Sequence, residues 1–271
     1  MTTLRVAAGQ AVAVSGDLAA NVHTSARLTR HAAAQDVRLL VLPEAFLTGY
    51  DVDAFAGPLP DAQDLDGGWL EPLRTEAATG GVTVVVGTAL QRGDLRTLAQ
   101  IVVRPDGTAT APYDKQHLDS LEKRFFTAGD HGASITVPGA DGDGVELGLS
   151  ICYDGCFPEH AAAAARDGAV GYLSSSAYFP GGAHRRDLYY PARALENGMY
   201  VVFSGLTGPC GDSTFIGGSS VYDPEGRRIA GLVEEEGLAI AEIDTDVVAE
   251  TRATHTMHGD HRADLGPRTR G

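Results

Sequence analysis

The sequence is poor in cysteine, short of basic residues and free of long apolar runs. Cys152, Cys156 and Cys210 are the only cysteines in 271 residues. An odd number without CxxC spacing argues against a disulfide framework and a structural zinc site, and implies reduced thiols. Lys and Arg total 21 against 36 Asp and Glu, a net charge of −15, so neither a nucleic-acid backbone nor an anionic membrane surface is expected as a partner. No apolar stretch approaches the roughly 20 residues that span a bilayer. The opening MTTLRVAAGQ lacks the basic and apolar regions of a signal peptide. A soluble cytoplasmic protein is the expectation, and 43% apolar content is enough to fill a sizeable core.

Strand and helix patterns alternate along the chain. Leu4–Gly9 reads as a strand, Leu18–Ala34 carries Leu18, Val22, Ala26, Leu28 and Ala32 at near-helical spacing, and Val37–Leu42 is an apolar run, making a βαβ opening. An irregular stretch, Asp51–Asp66, leads to a helix over Trp69–Thr79 and a strand over Val82–Thr88. Leu98–Arg104 and Thr108–Tyr113 flank a Pro-Asp-Gly turn and predict a hairpin. Val170–Ser174 reads as a buried strand, and Ala183–Asn197 as a helix with Leu188, Ala192 and Leu195 on one face. Met199–Gly205, Gly218–Tyr222, Arg227–Leu232 and Leu238–Ile243 come next as strands, before a charged tail from about residue 245. With no linker and no clear repeat, the pattern predicts a layered α/β sandwich in a single domain over residues 1–271.

The stretch VELGLSICYDGCFPE, Val145–Glu159, organises the chain. Apolar residues at alternate positions form a short buried strand that stops at Cys152, and after a tight turn Pro158 opens the Ala-rich helix Glu159–Arg166. A thiol at a strand end is aimed outward at a substrate, and backbone N–H groups just after it can face an oxyanion. Such a nucleophile needs a proton acceptor and a cation. Glu44, Lys115 and Glu122 each follow an apolar or strand-like segment or the loop leaving one, and a Glu base beside a Lys supplies both functions. His117, His160 and His184 are available for a Cys–His dyad, but none has a neighbouring Asn or Asp arrangement that singles it out.

Pro43-Glu44 with FLTGY behind it, YDKQHL at Tyr113–Leu118, Glu122 within LEKRFFTAGD, ICYDGCFPE, and ARALENGMYVV before GGSSVYDPEG resemble, in order, the motifs of the nitrilase superfamily of carbon–nitrogen hydrolases. The resemblance extends from Leu4 to about Leu265. It implies a four-layer αββα sandwich, dimerised or further assembled with the tail from about residue 245 at the interface, and no cofactor. Carried over by position, Cys152 is the nucleophile, Glu44 the general base and Lys115 the oxyanion-stabilising cation. Glu122 is the supporting glutamate, and the Tyr153 backbone N–H is the second oxyanion donor. Tyr50, Ser176, Tyr178, Phe179 and Arg185 are candidates to line the substrate pocket. Asp154 and Pro158-Glu159 fit the amide-hydrolysing branches, so the expectation is an amidase acting on linear amides through a Cys152 thioester. The alternatives are an N-carbamoyl-amide hydrolase, a nitrilase, an acyltransferase, or a catalytically silent binding homologue.

Cys156 and Cys210 read as inert small residues, Arg185-Arg186 as a solvated helix face, and the run His255, His258, His261 lies in the charged tail with no supporting residues in view, so no metal is expected. Cys156 stands where many carboxylate-binding relatives carry Arg, and Arg185 comes after His184 where relatives have Trp. The first departure removes a basic anchor, which predicts a preference for neutral or cationic amides. The second leaves Arg185 able to restore one.

Overall fold

The computed structural model describes every residue except Met1, His261 and Ala263. In chain order its elements are β1 (Thr3–Gln10), α1 (Leu18–Ala33), β2 (Leu39–Val41), α2 (Val52–Ala56), α3 (Glu71–Gly80), β3 (Thr83–Arg92), β4 (Leu95–Val103) and β5 (Ala109–Asp114). Then come β6 (Ser134–Pro138), β7 (Gly144–Ile151), α4 (Pro158–Arg166), β8 (Gly171–Ser176), α5 (Ala183–Asn197) and β9 (Tyr200–Gly205). The chain closes with β10 (Thr207–Cys210), β11 (Ser213–Ile216), β12 (Ser220–Tyr222), β13 (Arg228–Gly231), β14 (Gly237–Asp244) and α6 (Thr245–Thr254).

Two six-stranded sheets stack, one ordered β14-β1-β2-β3-β4-β5 and the other β13-β12-β9-β8-β7-β6. Each has a parallel centre, β1-β2-β3 and β7-β8-β9, flanked by antiparallel strands. The apolar run through β2 is continuous because both its faces are covered. Leu40 packs toward α1 and α3, while Leu39 and Val41 join β7 residues Leu147 and Leu149 between the sheets. In β7, Val145, Leu147, Leu149 and Ile151 all enter the inter-sheet core. On its other face Gly148 lets α4 approach, since a Cβ there would stand 2.6 Å from the Ala164 methyl. Tyr172, Tyr190 and Phe203 fill the layer between the second sheet and α4 and α5. The result is the four-layer αββα sandwich.

Two local expectations need correction. On α5 the face bearing Leu188 and Leu195 is turned outward, at 68% and 45% exposure. The inward face is built instead from Tyr190, Arg193, Ala194 and Asn197, because the Arg193 Nε hydrogen-bonds the Gly155 carbonyl at 2.9 Å. The irregular stretch 51–66 contains the short helix α2, whose Asp51 carboxylate caps the Asp53 amide.

Candidate active site

The strand ends converge on one point. The chain leaves β2 through Leu42-Pro43 and turns at Glu44, where Ala45 takes φ 46°; it leaves β7 at Cys152, with φ 44°. Both are left-handed conformations that L-residues adopt only when surrounding contacts hold them. At Cys152 the Tyr190 hydroxyl provides one such contact by donating to the Cys152 carbonyl at 3.0 Å. At Glu44 the close partner is β3. A Cβ on Gly87 would fall 2.7 Å from the Glu44 Cα and nearer still to the Pro43 carbonyl, so only glycine lets this turn lie against the strand. Lys115 directly follows β5, its amide bonded to the Leu98 carbonyl at 2.7 Å.

Lys115 sits between two carboxylates. Its Nζ is 2.6 Å from Glu44 Oε1 and 2.5 Å from Glu122 Oε1, and all three side chains are buried. Glu122 Oε1 also accepts from the Tyr50 hydroxyl at 2.7 Å. Its Oε2 accepts from the Asp119 amide at 2.8 Å, while Asp119 Oδ1 accepts from the Glu122 amide at 3.0 Å. This reciprocal pair is the capping-box arrangement, written in the sequence as Asp119-Ser120-Leu121-Glu122. Three of the four lone-pair sites on Glu122 are thereby taken by donors of the protein itself. Glu44 Oε2, in contrast, is buried with no hydrogen-bond partner among the described residues. The Cys152 Sγ lies 3.7 Å from the Ala177 carbonyl.

Burial dominates the electrostatics. It pushes the Glu44 carboxyl up to about 8, with the Lys115 ammonium opposing and the Glu122 charge reinforcing the rise. Burial raises the Cys152 thiol as well, helped by Glu44 and opposed by Lys115. Desolvation works to strip the Lys115 proton, but Glu44 and Glu122 more than offset it and hold the ammonium charged. The site is therefore a half-buried thiol at the cavity wall, a carboxyl that titrates near neutrality and a fixed cation.

A cavity of about 490 Å³ opens over these groups. Of the residues singled out in the sequence, Tyr50, Lys115, Glu122, Cys152, Tyr153, Tyr178, Phe179 and Arg185 all line it, with Arg185 exposed at its mouth. Ser176 does not. It is fully buried in β8, within hydrogen-bonding distance of the Ser174 and Tyr190 hydroxyls, and its successor Ala177, just past the strand end, takes the lining position. Glu44 lies beneath the lining.

Cys156, Asp119 and Lys123 line the cavity without having been picked out for it. Cys156 carries no charge to the wall, and its Sγ rests 3.9 Å from the Tyr178 hydroxyl. Lys123 was legible only as the residue after Glu122. Neither Lys123 nor Arg185 has a side-chain hydrogen bond or ion pair among the described residues, whereas Asp119 is engaged with the Leu121 and Glu122 amides. No cluster of three or more His, Cys, Asp or Glu suited to a metal occurs among the described residues. In the tail, His255 Nε2 contacts Glu225 at 3.2 Å, and His261 lies outside the described residues.

Comparison with known proteins gives the arrangement its place. Residues 5–253 match the carbon–nitrogen hydrolase family. A deaminated glutathione amidase from Escherichia coli O157:H7 is 35% identical, the match covering 92% of this chain and 93% of that protein. A 2-oxoglutaramate amidase from Bacillus subtilis is 33% identical over 84% of this chain and 86% of its own length. An amidase from Nesterenkonia sp. AN1, described as a nitrilase-superfamily member and captured after acrylamide added to its active-site cysteine, superposes with a TM-score of 0.80. It is 28% identical, with 95% of this chain and 99% of that chain covered. Sequence motifs, fold and relatives agree: this chain belongs to the carbon–nitrogen hydrolase family, as an amidase-type enzyme of the nitrilase superfamily.

Proposed function

We propose that the enzyme hydrolyses a linear amide of a small molecule through a thioester on Cys152, with Glu44 as general base and Lys115 and the Tyr153 N–H as oxyanion donors. The observation that carries this reading is the pairing of the buried Lys115 ammonium with Glu44 and Glu122, which leaves Glu44 Oε2 without a hydrogen-bond partner among the described residues. Because burial raises the thiol, a preformed thiolate is disfavoured. The Cys152 proton passes to Glu44 as sulfur bonds to the amide carbon. The carbonyl oxygen becomes an oxyanion facing the Lys115 ammonium and the Tyr153 amide, which lies in the first turn after the strand, where N–H groups lack intra-turn acceptors. Glu44 then returns the proton to the departing nitrogen, the C–N bond breaks and a thioester remains. Water loses a proton to Glu44 as it attacks the thioester carbon, and collapse of that adduct releases the carboxylic acid and the thiol.

The substrate reading departs from a preference for neutral or cationic amides. Cys156 provides no anchor, but Arg185 and Lys123, neither of them ion-paired among the described residues, support a substrate whose far end is anionic. The Escherichia coli and Bacillus subtilis relatives are named for amides of carboxylic acids, which supports the same assignment.

We also take the chain as one domain working as a homodimer or higher homo-oligomer in the cytoplasm, without nucleic acid or membrane as partner. The three free cysteines, the absence among the described residues of a helix long and apolar enough to cross a membrane, and the outward Leu188 and Leu195 support this. The deciding experiment is intact-mass detection of an acyl adduct on Cys152 during turnover of an amide panel. Cys152→Ala should fold, show no adduct and lose turnover by several orders of magnitude; activity within about tenfold of the parent would overturn the mechanism.

A further inference from the structure

Asp154, two residues beyond Cys152, is completely buried and takes no part in the acylation and hydrolysis steps. Its carboxylate accepts four hydrogen bonds. Oδ2 receives the Tyr113 hydroxyl at 2.6 Å and the Ile151 amide at 3.0 Å, and Oδ1 receives the His117 amide and the His117 Nδ1–H, both at 2.9 Å. Ile151 immediately precedes Cys152, whereas Tyr113 and His117 flank Lys115 two residues to either side. One carboxylate thus ties both shoulders of Lys115 to the backbone of the nucleophile turn.

The donors are themselves ordered. The Tyr113 oxygen meets His160 Nε2 at 2.9 Å and His160 Nδ1 meets the Tyr172 hydroxyl at 2.8 Å, a chain that closes when Tyr172 donates to a neutral His160 and His160 donates to Tyr113. Burial and the Asp154 charge act in opposite senses on His160, and burial prevails, favouring the neutral ring. His117 is stacked on Phe157 with ring centroids 4.0 Å apart. Each donor to Asp154 is therefore held from behind or belongs to the backbone.

We propose that Asp154 is the positioning residue that fixes the separation between the Lys115 ammonium and the Tyr153 amide, the two halves of the oxyanion site. This rests on Cys152 as nucleophile and Lys115 as oxyanion donor. Displacing a catalytic donor by about an ångström can cost on the order of 100-fold in rate. Four hydrogen bonds to one buried carboxylate give the rigidity that prevents such a displacement.

Asp154→Asn preserves shape but replaces one acceptor oxygen with an NH₂, so two N–H or O–H donors on that side lose their partner. The experiment compares this variant with the parent by kcat, KM and the inhibition constant of an aldehyde carrying the substrate's acyl group, which forms a tetrahedral adduct on Cys152. The expected result is a fall of about 100-fold in kcat, a parallel weakening of the aldehyde, and KM within about threefold. A folded Asp154→Asn with kcat and aldehyde affinity within about threefold of the parent overturns the proposal, as does a loss confined to KM. Should Asp154→Asn not fold, Tyr113→Phe and His117→Ala each remove one donor, with about tenfold losses in kcat and aldehyde affinity expected; parental values in both would equally overturn it. The underlying mechanism fails separately, if the parent enzyme forms no aldehyde adduct on Cys152.

Discussion

The Lys115 ammonium stands 2.6 Å from Glu44 Oε1, yet burial still lifts that carboxyl to about 8. A base held by its cation and raised by its surroundings accepts a proton more strongly than an ordinary carboxylate, and does so near neutral pH.

Only the ionised Glu44 can accept the Cys152 proton, so activity should fall as pH drops below the raised value. We expect kcat/KM to decline about tenfold per unit below an apparent value near 8, which belongs to Glu44 together with the Lys115 and Glu122 charges beside it. A profile that is flat from about pH 6 to about pH 9 would show that Glu44 is not the base.

Lys115→Arg should lose activity nearly as completely as Lys115→Ala. The pocket between Glu44 and Glu122 is fully buried and shaped for an ammonium, and a planar guanidinium cannot enter it without displacing one carboxylate. Lys115→Ala should also lower stability by about 3–5 kcal/mol, since it leaves two buried carboxylates without their cation. Measuring kcat and thermal unfolding together tests both. Rescue of kcat by Arg would mean that positive charge, rather than its position, is what the site requires.

Gly87→Ala alters no reacting group, yet it should reduce kcat by about tenfold or more. The added methyl would stand 2.7 Å from the Glu44 Cα and force the turn off β3. Cys210→Ala, in a buried residue outside the cavity lining, serves as the matched control and should retain activity. Equal kcat in the two variants would show that the turn moves freely.

The anionic-substrate reading can be measured on amides matched except for a terminal carboxylate, amide or amine. We expect the carboxylate compound to win in kcat/KM by about tenfold, and Arg185→Ala to remove most of that margin. A better neutral or cationic substrate would return the specificity to the absence of an anchor at Cys156.

The site was legible in the sequence wherever a reacting group stands at the end of a strand. Cys152 ends the alternating pattern of β7, Lys115 comes directly after the hairpin and Glu44 after a doubly buried run, and for Cys152 and Glu44 burial of the strand leaves the functional side chain to emerge at its end. The layered α/β class was equally legible, because hydrophobic period alone separates strands covered on two faces from helices covered on one. The folded chain alone decided which side chains share a space. Leu188 and Leu195 have the spacing of a core stripe and lie outward, because α5 turns Tyr190 and Arg193 to the nucleophile turn instead. Ser176 and Ala177 are neighbours in sequence, yet Ser176 is buried away from the cavity and Ala177 lines it. Asp154 reads as one acidic residue in a turn, and its four donors come from segments up to 41 residues away. Local pattern records the solvation of each residue, whereas hydrogen-bond partners across the sandwich are set by how the sheets stack.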